Sequence, residues 1–506
     1  MEINNTTLST SGSLIRESGI ATFGRIFGRS IGFFVQIILA RMLAPEAFGL
    51  FAVGWTLLRL INIAGHLGLD YGVISFGARY WQKDLEKLRS IVVLCTGAAF
   101  FSGALAALFV YVSAPWVAGT LFKKPELEFI LQGFAFTFPL ATMLRVLAAA
   151  NSISRKMFYG ALAEDIVQPA IQVVTFLIFF SIGGGLNAAV FSTVISYAIS
   201  VIVGIIAVGK NIPGILSAVS IRTDDTLPVL RYSIPAIVGA TLGALNIWGD
   251  RLIVGVFGTE EQTGIYQSIS LLAMLTTILL SGIKVTIAPS ISQMFHDENN
   301  AEINLLAKSL TRWLLYLALP LLIIIFIAPG DLLLMIFGPE YLSGAIPLLL
   351  LTVGQTFYII FGLGDQFFLM TGRQKIWLWI SAIVFLLTII LDAILIPRAG
   401  LIGAGFVSSL MMLLLGILSM TALRRYLQVR LVDIYHAKIL LSAMASGLIT
   451  YILTSAFAIN PLYNIVFSFI ISTISFIVFL FLTGMEPSDK ILISSFLNKP
   501  ALKRKG

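Results

Sequence analysis

The sequence predicts an all-α polytopic membrane protein, and three observations support this: the composition, recurrent apolar runs and an internal repeat. Hydrophobic residues make up 58% of the 506-residue chain and charged residues only 11%, with a mean hydropathy of +0.96. Soluble globular proteins of this length do not have such a composition. Runs of about 20 apolar residues, long enough to cross a hydrocarbon core of about 30 Å, predict about 14 transmembrane helices.

The apolar runs follow one another with short loops between them. The predicted spans are 20–42, 48–69, 90–112, 128–150, 160–182, 187–209, 232–257, 264–288, 310–329, 345–369, 376–396, 401–422, 437–458 and 462–483. The first run contains Arg25 and Arg29 and lacks a small-residue cleavage site, so it is interpreted as a retained helix rather than a signal peptide. No connection is long enough to hold a soluble catalytic domain.

The positions of the basic residues predict the orientation of the chain. If the N-terminus is cytoplasmic, most of the 33 Lys and Arg residues fall in cytoplasmic tails and loops. The opposite side then holds four, which are Arg41, Lys123, Lys124 and Arg398. This bias predicts a cytoplasmic (inner) membrane protein with both termini in the cytoplasm. The basic excess is therefore a topology signal and not a nucleic-acid signal, and the basic end at 499–505 is expected to rest on anionic membrane lipid.

The chain also resembles itself. Sliding it along its own length superposes residues 45–51 on 260–266, 122–127 on 337–342 and 185–189 on 400–404 in nearly constant register. Gly49 then meets Gly264, and Phe51 meets Tyr266. Three echoes in one register indicate two pseudo-symmetric six-helix bundles of the same orientation, as in transporters built from parallel repeats. The predicted domains are 1–226 (tail and helices 1–6), 227–426 (helices 7–12) and 427–506 (two extra helices and a basic tail).

Six basic side chains lie inside predicted spans. They are Arg25, Arg29, Arg59, Arg145, Arg251 and Lys284. An arginine at the centre of a spanning helix costs about 3 kcal/mol, and such residues normally face a watery cavity or a partner. Arg25 and Arg29 share a helix face because they are four residues apart. Arg59, Asn62 and His66 also share a face, as do Asn246 and Asp250, with Arg251 beside them.

Four short strings resemble a known family. They are residues 39–49, 231–235 with Asp250 and Arg251, 338–341, and 397–404. Together they resemble polysaccharide transporters, the O-antigen and exopolysaccharide flippases of the multidrug/oligosaccharidyl-lipid/polysaccharide superfamily. The resemblance implies a MATE-like fold, with two bundles in a V around a central cavity. It also implies transfer of an undecaprenyl-diphosphate-linked oligosaccharide from the inner to the outer leaflet. Asp392 departs from the family, which more often has a neutral amide there.

An anionic lipid head needs a water-filled, positively charged groove, and arginine suits it because its planar fork donates paired hydrogen bonds to phosphate. The predicted substrate-binding residues are Arg29, Arg59, Arg25, Arg251, Asn62 and Asn246. The candidates for ion coupling are Glu164, Asp165 and Asp250. No catalytic residue, metal ligand or cofactor is expected.

Several of these residues have an ordinary structural alternative. Arg145 and Lys284 lie near helix ends and are expected to snorkel to the interface. Glu164 and Asp165 are equally well explained as structural ion-pair partners, and Asp250 as the counter-ion of Arg251. His66 is interpreted as an interfacial histidine rather than a proton switch. Glu164, Gln168 and Gln172 form a stripe at four-residue spacing, and this stripe favours a cavity face over a lipid face.

The predicted function is a flippase for a lipid-linked oligosaccharide repeat unit in polysaccharide biosynthesis, such as O-antigen of lipopolysaccharide. It would act by alternating access through a cationic central cavity. The alternative is a MATE-like ion-coupled exporter of drugs or small molecules, which is expected to show unpaired carboxylates in its cavity. An enzyme acting on the carrier lipid is disfavoured because the outer loops are too short for its catalytic groups. The expected partners are the lipid-linked substrate, membrane lipid and the polysaccharide polymerase machinery.

Overall fold

The computed structural model is helical throughout its described residues and contains no β-strand there. It describes residues 3–81, 83–153, 162–217, 226–277, 300–455, 460–487 and 489, with isolated positions between 278 and 299. Side chains are described from residue 28 onward within these ranges, except at position 29 and at most positions from 226 to 239. The predicted interfacial tail at 499–505 therefore lies outside the described residues, as do the side chains of Arg231 and Pro235 in the family string.

The α-helices, in chain order, carry our own numbering. They are α1 (Ile3–Gly65), α2 (Leu69–Tyr80), α3 (Leu85–Trp116), α4 (Leu127–Ala135), α5 (Phe138–Ile153), α6 (Gln168–Ser181), α7 (Gly185–Asn211), α8 (Thr226–Phe257), α9 (Glu260–Ala273), α10 (Asn300–Ile327), α11 (Pro329–Ile336), α12 (Ala345–Phe361), α13 (Gly364–Met370), α14 (Gln374–Leu427), α15 (Ile434–Ser455) and α16 (Pro461–Thr483). Short π-helical segments cover Val117–Leu121 and Leu162–Val167, and a 3-10 segment covers Pro339–Gly344.

Two of the long helices each contain two predicted spans. In α1 the backbone leaves helical geometry at Ala44, where φ is 61° and ψ is 165°, immediately before Pro45. Proline has no N–H to donate and disfavours helical geometry in the preceding residue, so the helix breaks there. In α14 the break is at Gly400, where φ is 54° and ψ is −134°, a region that glycine enters without steric cost. Both breaks lie between spans that the sequence separates.

The apolar helices confirm a polytopic all-α membrane protein. Within the described residues, nine segments are long and apolar enough to cross a membrane, or ten if the bent pair α4 and α5 forms one span. The 54-residue α14 is counted once although it holds two predicted spans. The predicted number of 14 is therefore not confirmed, although each predicted span overlaps helical residues in the described ranges.

The chain packs as two compact units. The first unit contains residues 1–268 and 388–404, and the second contains 269–387 and 405–506. These units follow packing, whereas the predicted domains follow sequence repetition and topology. The predicted boundaries at 226 and 426 stay a prediction.

In the first unit the two repeats meet at a pair of glycines. A Cβ on Gly49 would strike the backbone oxygen of Glu260, and a Cβ on Gly264 would strike the backbone oxygen of Pro45. The repeat register that pairs Gly49 with Gly264 also pairs Pro45 with Glu260. The contact is therefore reciprocal, as expected where a pseudo-two-fold axis passes between equivalent elements. Phe48 and Phe51, both fully buried, pack beside this crossing.

In the second unit a buried arginine joins three parts of the chain. Arg312 on α10 is 1% exposed, and its Nη1 lies 2.8 Å from Asp433 Oδ2, just before α15. Its Nη2 and Nε donate to Glu486 and Asp489, beyond α16, at 2.6 and 2.7 Å. A buried guanidinium with three carboxylate partners has its charge and hydrogen bonds satisfied. The cluster fixes both ends of the α15–α16 hairpin to α10.

The α15–α16 hairpin is held along its length by small polar side chains. Ser446 donates to the Ser472 carbonyl at 2.9 Å and lies 2.7 Å from the Ser475 hydroxyl. Ser442 and Thr483 are 3.0 Å apart near the hairpin ends. Small residues let two helices approach closely, and hydroxyls bond across the seam. The opposite faces of both helices carry exposed apolar residues such as Leu448 and Phe481, as lipid contact requires.

Candidate functional site

The predicted basic residues fall into different environments. The backbone of Arg25 and Arg29 belongs to α1, but both side chains lie outside the described residues. Arg59 is exposed, Arg145 is half-buried, and Arg251 is only 2% exposed. The structure therefore separates an arginine that a ligand can reach, Arg59, from one that is enclosed by protein, Arg251.

Arg59 and Arg251 both lie over the same tryptophan. The Arg59 guanidinium carbon is 4.7 Å from the ring centre of Trp248 on α8, and that of Arg251 is 4.4 Å from it. Arg59 also lies 5.6 Å from the ring centre of Trp55, one turn earlier on α1. Cations over indole faces within about 6 Å are attracted by the ring quadrupole. Trp248 therefore joins the two arginines, which come from different sequence repeats.

Arg251 is anchored locally. Its Nη1 donates to the Ile247 carbonyl at 2.8 Å and lies 3.7 Å from Asp250 Oδ1. Asp250 in turn accepts from the Tyr266 hydroxyl on α9 at 2.8 Å and from the Arg251 backbone N–H at 2.8 Å. These bonds support the alternative in which Asp250 neutralises Arg251. Direct substrate binding by Arg251 and ion coupling by Asp250 stay predictions.

A second carboxyl group of the first unit lies within electrostatic range of Asp250. Asp392 on α14 is 1% exposed, and neither carboxyl oxygen has a hydrogen-bond donor among the described residues. The negative charge of Asp250 is close enough to act on Asp392. A buried carboxyl without donors is costly unless it is protonated or binds a cation. Asp392 is therefore a further candidate for ion binding, in addition to Asp250.

Arg145 is paired with two acids instead of snorkelling unpaired to the interface. Its Nε lies 3.1 Å from Asp70 Oδ2 on α2, and its Nη1 donates to Glu164 at 3.2 Å. His66 Nε2 lies 3.2 Å from the other oxygen of Asp70. The structural ion pair that the sequence allowed for Glu164 is therefore present. Asp165, its neighbour, packs its backbone against Gly28 of α1.

The glutamine stripe on α6 is not a cavity face. Gln168 and Gln172 are 7% and 1% exposed. Their side chains donate to Ser196 and Thr193 of α7, each at 3.0 Å. The expectation of a cavity face is thus wrong at these two positions, because the polar stripe faces another helix and not water. Their hydrogen bonds fasten α6 to α7 behind the site.

The remaining predicted residues have local contacts. Asn62 is partly buried, and its Oδ1 has no hydrogen-bond partner among the described residues. Asn246 donates to the Leu242 carbonyl at 3.0 Å, one turn back on α8. In the second unit, Lys284 Nζ lies 2.7 Å from Asp365 Oδ2. Lys284 therefore has an acidic partner, and the expectation that it simply snorkels to the interface is wrong.

The sequence interpretation missed Asp70, Trp55 and Trp248. Asp70 was overlooked because it lies beyond the predicted end of helix 2, although an acid four residues after His66 was a signal for a helical pair. The tryptophans were overlooked because aromatic residues in apolar helices usually signal packing. Their spacing was informative all the same, since Trp55 is one turn from Arg59 and Trp248 is three residues before Arg251.

Comparisons with known proteins identify the family and the fold. A family model described as "Polysaccharide biosynthesis protein" matches residues 38–345. The chain is 22% identical over 404 residues to the probable low-salt glycan biosynthesis flippase Agl15 of Haloferax volcanii, covering 78% of this chain and 80% of that protein. It is 22% identical over 280 residues to the succinoglycan biosynthesis transport protein ExoT of Rhizobium meliloti, covering 55% and 54%.

Among solved structures, the lipid II flippase MurJ in an inward closed conformation aligns with a TM-score of 0.68 at 17% identity, over 95% of this chain and 99% of that chain. An inward-facing multidrug resistance MATE family transporter aligns at 0.64 and 14% identity, over 81% and 98%. At these identities the likeness shows the fold, and it confirms the MATE-like fold class. The family model covers more than half of the chain, so this multi-pass membrane protein belongs to the polysaccharide biosynthesis protein family.

Proposed function

We propose that the chain is a flippase that moves a lipid-linked oligosaccharide across the cytoplasmic membrane for polysaccharide biosynthesis. The carrier is undecaprenyl diphosphate, and transfer proceeds from the inner to the outer leaflet by alternating access, with both termini in the cytoplasm. Family membership supports the general activity, as do the names of the relatives Agl15 and MurJ, both described as flippases.

One observation supports a specific site for the cargo: the exposed guanidinium of Arg59 lies over the rings of Trp55 and Trp248. A guanidinium held near ring faces by cation–π attraction keeps its N–H donors, which lie in its own plane. Arg59 is thereby held in one orientation before a ligand arrives, which lowers the entropy lost on binding. A diphosphate presents paired oxygens that match this planar fork.

The other predicted ligands extend this site. Arg25 and Arg29 belong to the same long helix as Arg59, and Asn62 is one turn from Arg59. We propose that Arg29 and Arg59 bind the diphosphate directly. Arg25 and Asn62 complete the polar wall on α1, and Asn246 and Arg251 do so on α8. Replacing Arg29 or Arg59 with Ala is expected to abolish glycan export while membrane insertion is retained.

A MATE-like ion-coupled exporter of cationic compounds is the second candidate, and Asp392 favours it. Its two buried carboxyl oxygens, which have no donor among the described residues, are the feature expected of a site for cations. The two candidates differ in the charge of the cargo. A lipid diphosphate needs Arg59, whereas an organic cation is repelled by it and attracted to Asp250 and Asp392.

The test uses the purified full-length protein in vesicles with a polyprenyl-diphosphate N-acetylglucosamine that carries a fluorophore on its prenyl chain. Chemical quenching from outside reports the fraction of probe that has crossed the bilayer. Arg59→Ala is expected to reduce the flipping rate at least tenfold and Arg59→Lys less. Arg79→Ala is the matched control, because Arg79 is also exposed and lies 5.6 Å from an aromatic ring centre, that of Phe76.

If Arg59→Ala flips the probe at the wild-type rate, the proposed role of Arg59 is refuted. Transport of ethidium by the wild-type protein, with no movement of the lipid probe, would overturn the flippase in favour of the exporter. Equal losses in Arg59→Ala and Arg79→Ala would also count against a specific site on α1.

A further inference from the structure

His66 is enclosed by two hydrogen-bond acceptors. The residue is 5% exposed. Its Nδ1 lies 2.6 Å from the backbone carbonyl oxygen of Asn62, and its Nε2 lies 3.2 Å from Asp70 Oδ1. A carbonyl oxygen carries no proton, so Nδ1 must carry the hydrogen in the Asn62 contact. In a neutral ring the other nitrogen, Nε2, then has no hydrogen and turns a lone pair towards the carboxylate.

This arrangement is satisfied only when the ring carries a second proton. Asp70 is 4% exposed, and its Oδ1, although 3.2 Å from Nε2, has no hydrogen-bond partner among the described residues. A proton on Nε2 makes the ring an imidazolium, which attracts the carboxylate 3.2 Å away as an ion pair. We propose that His66 and Asp70 form a proton-binding site, and that a proton on Nε2 favours binding of the anionic lipid head. This inference rests on the proposed flippase function and names the proton as its coupling ion.

The groups around the site balance its charge when the proton is bound. The second oxygen of Asp70 accepts from Arg145 on α5, and Arg145 also donates to Glu164. With His66 protonated, two cations face two carboxylates, so the cluster is neutral. Proton loss leaves one negative charge in a mostly buried place, which is costly. Two further titratable groups lie within electrostatic range of this cluster: the Tyr71 hydroxyl on α2, near Asp70 and Arg145, and the Tyr197 hydroxyl on α7, near Glu164 and Arg59.

The carboxyl group of the pair does not compete for this proton. Burial alone would raise the pKa of Asp70, but the hydrogen bond from His66 and the charges of His66 and Arg145 hold it below its ordinary value. The proton therefore resides on the imidazole and comes from water. Proton exchange of this kind forms and breaks no covalent bond other than the N–H bond at Nε2.

The site reaches the solvent through Arg145. The Arg145 side chain is 43% exposed and that of Glu164 is 30% exposed, whereas His66 and Asp70 lie behind them. A diphosphate near Arg145 meets a neutral cluster when His66 is protonated and a negative one when it is not. Proton and diphosphate therefore favour each other, and by linkage each raises the affinity for the other equally.

The first experiment measures flipping of the fluorescent polyprenyl-diphosphate probe in vesicles from pH 5 to pH 8, the range in which histidine changes charge. The wild-type rate is expected to fall at least about fivefold as the pH rises through this range. His66→Gln is expected to give a slower rate that does not vary with pH. His436→Gln is the matched control, because His436 is equally buried and also paired with an aspartate, but in the second unit. An unchanged pH profile in His66→Gln overturns the proposal.

The second experiment does not depend on transport or on the folding of His66→Gln. Ring ¹⁵N NMR of the wild-type protein in nanodiscs gives the protonation state of its three histidines, assigned with His296→Gln and His436→Gln. The expected spectrum shows His66 with both nitrogens protonated at low pH and only Nδ1 protonated at high pH. A neutral ring protonated on Nε2 throughout overturns the proton site. A wild-type protein that moves no probe at any pH refutes the proposed function instead, and NMR then decides the proton site alone.

Discussion

Gly49 and Gly264 are in backbone contact where α1 crosses α9, and the contact obeys the symmetry of the sequence repeat. Each glycine faces the carbonyl oxygen of the residue four positions before the other, Glu260 in one case and Pro45 in the other. Helices approach this closely only when neither carries a side chain at the crossing. The crossing therefore explains why glycine occupies equivalent positions in both repeats.

Gly264→Ala is expected to destabilise the first unit by about 1–3 kcal/mol, because its Cβ overlaps a backbone atom that cannot move aside cheaply. Thermal unfolding of the purified protein measures the change. Gly97→Ala on α3 is the control, since nothing lies within 4 Å of its added methyl group and a helical Gly→Ala change stabilises by about 0.4–1 kcal/mol. Equal melting temperatures for Gly264→Ala and wild type would disprove the close crossing.

Arg312→Ala is expected to destabilise the second unit by about 3–5 kcal/mol, because it leaves three carboxylates without their shared buried cation. Denaturant unfolding in detergent provides the measurement. Arg425→Ala serves as the control, since Arg425 is exposed near the end of α14 and such surface changes fall within about 0.5 kcal/mol. A loss no larger than that of the control would show that the cluster contributes little to stability.

Asp433 makes the stability of this cluster dependent on pH. Burial works to raise the pKa of Asp433, but the hydrogen bond from His436 and the charges of His436 and Arg312 hold it below the ordinary value of 3.8. Because the folded-state pKa is lowered, the stabilisation is complete above pH 3.8 and is lost as the pH falls further. Asp433→Asn is expected to melt earlier than wild type at pH 6, with the difference shrinking towards pH 3. Glu340→Gln, at an exposed position, is the control. Its melting temperature should differ from that of the wild type by the same amount at pH 6 and at pH 3.

The contribution of Lys124 to folding stability depends on pH in the opposite direction. This lysine is 4% exposed and reaches Thr263 at 3.5 Å, and burial lowers its pKa although the charge of Glu260 acts to raise it. The unfolded chain then binds more protons than the folded one, so the wild-type protein gains stability as the pH rises towards 10. Lys124→Met is expected to be more stable at pH 7 and to lack this gain. Lys123 is the exposed neighbour, and the stability of Lys123→Met should change with pH as that of the wild type does. If the stability of Lys124→Met also rose with pH as in the wild type, the effect of burial would be contradicted.

The all-α membrane fold could be predicted from the sequence because the lipid bilayer restricts the composition and length of the helices that cross it. The apolar runs predicted the helices, and Pro45 and Gly400 mark boundaries that the sequence already separates. The repeat register paired Gly49 with Gly264 as equivalent positions, but it did not predict their contact. The number of spans was harder to establish, because a helix such as α14 continues through a predicted loop.

The site was predicted less completely, because a helical period shows which residues share a face but not what covers that face. Gln168 and Gln172 formed a polar stripe, yet serine and threonine of α7 cover it. Arg145 was placed at an interface, because its partner Asp70 is 75 positions away in the chain. Arg59 was correctly expected on a polar face, but its position against Trp248 depends on packing between α1 and α8.

The stacking of Arg59 on Trp55 and Trp248 gives the protein a built-in optical sensor. Indole emission responds to charges within a few ångströms, and these two rings are among only seven tryptophans in the chain. An anion that draws the guanidinium away from the rings will change their emission without any added label. Titration followed by intrinsic fluorescence, with the double variant Trp55→Phe/Trp248→Phe as the control that lacks both rings, would therefore report occupancy at Arg59.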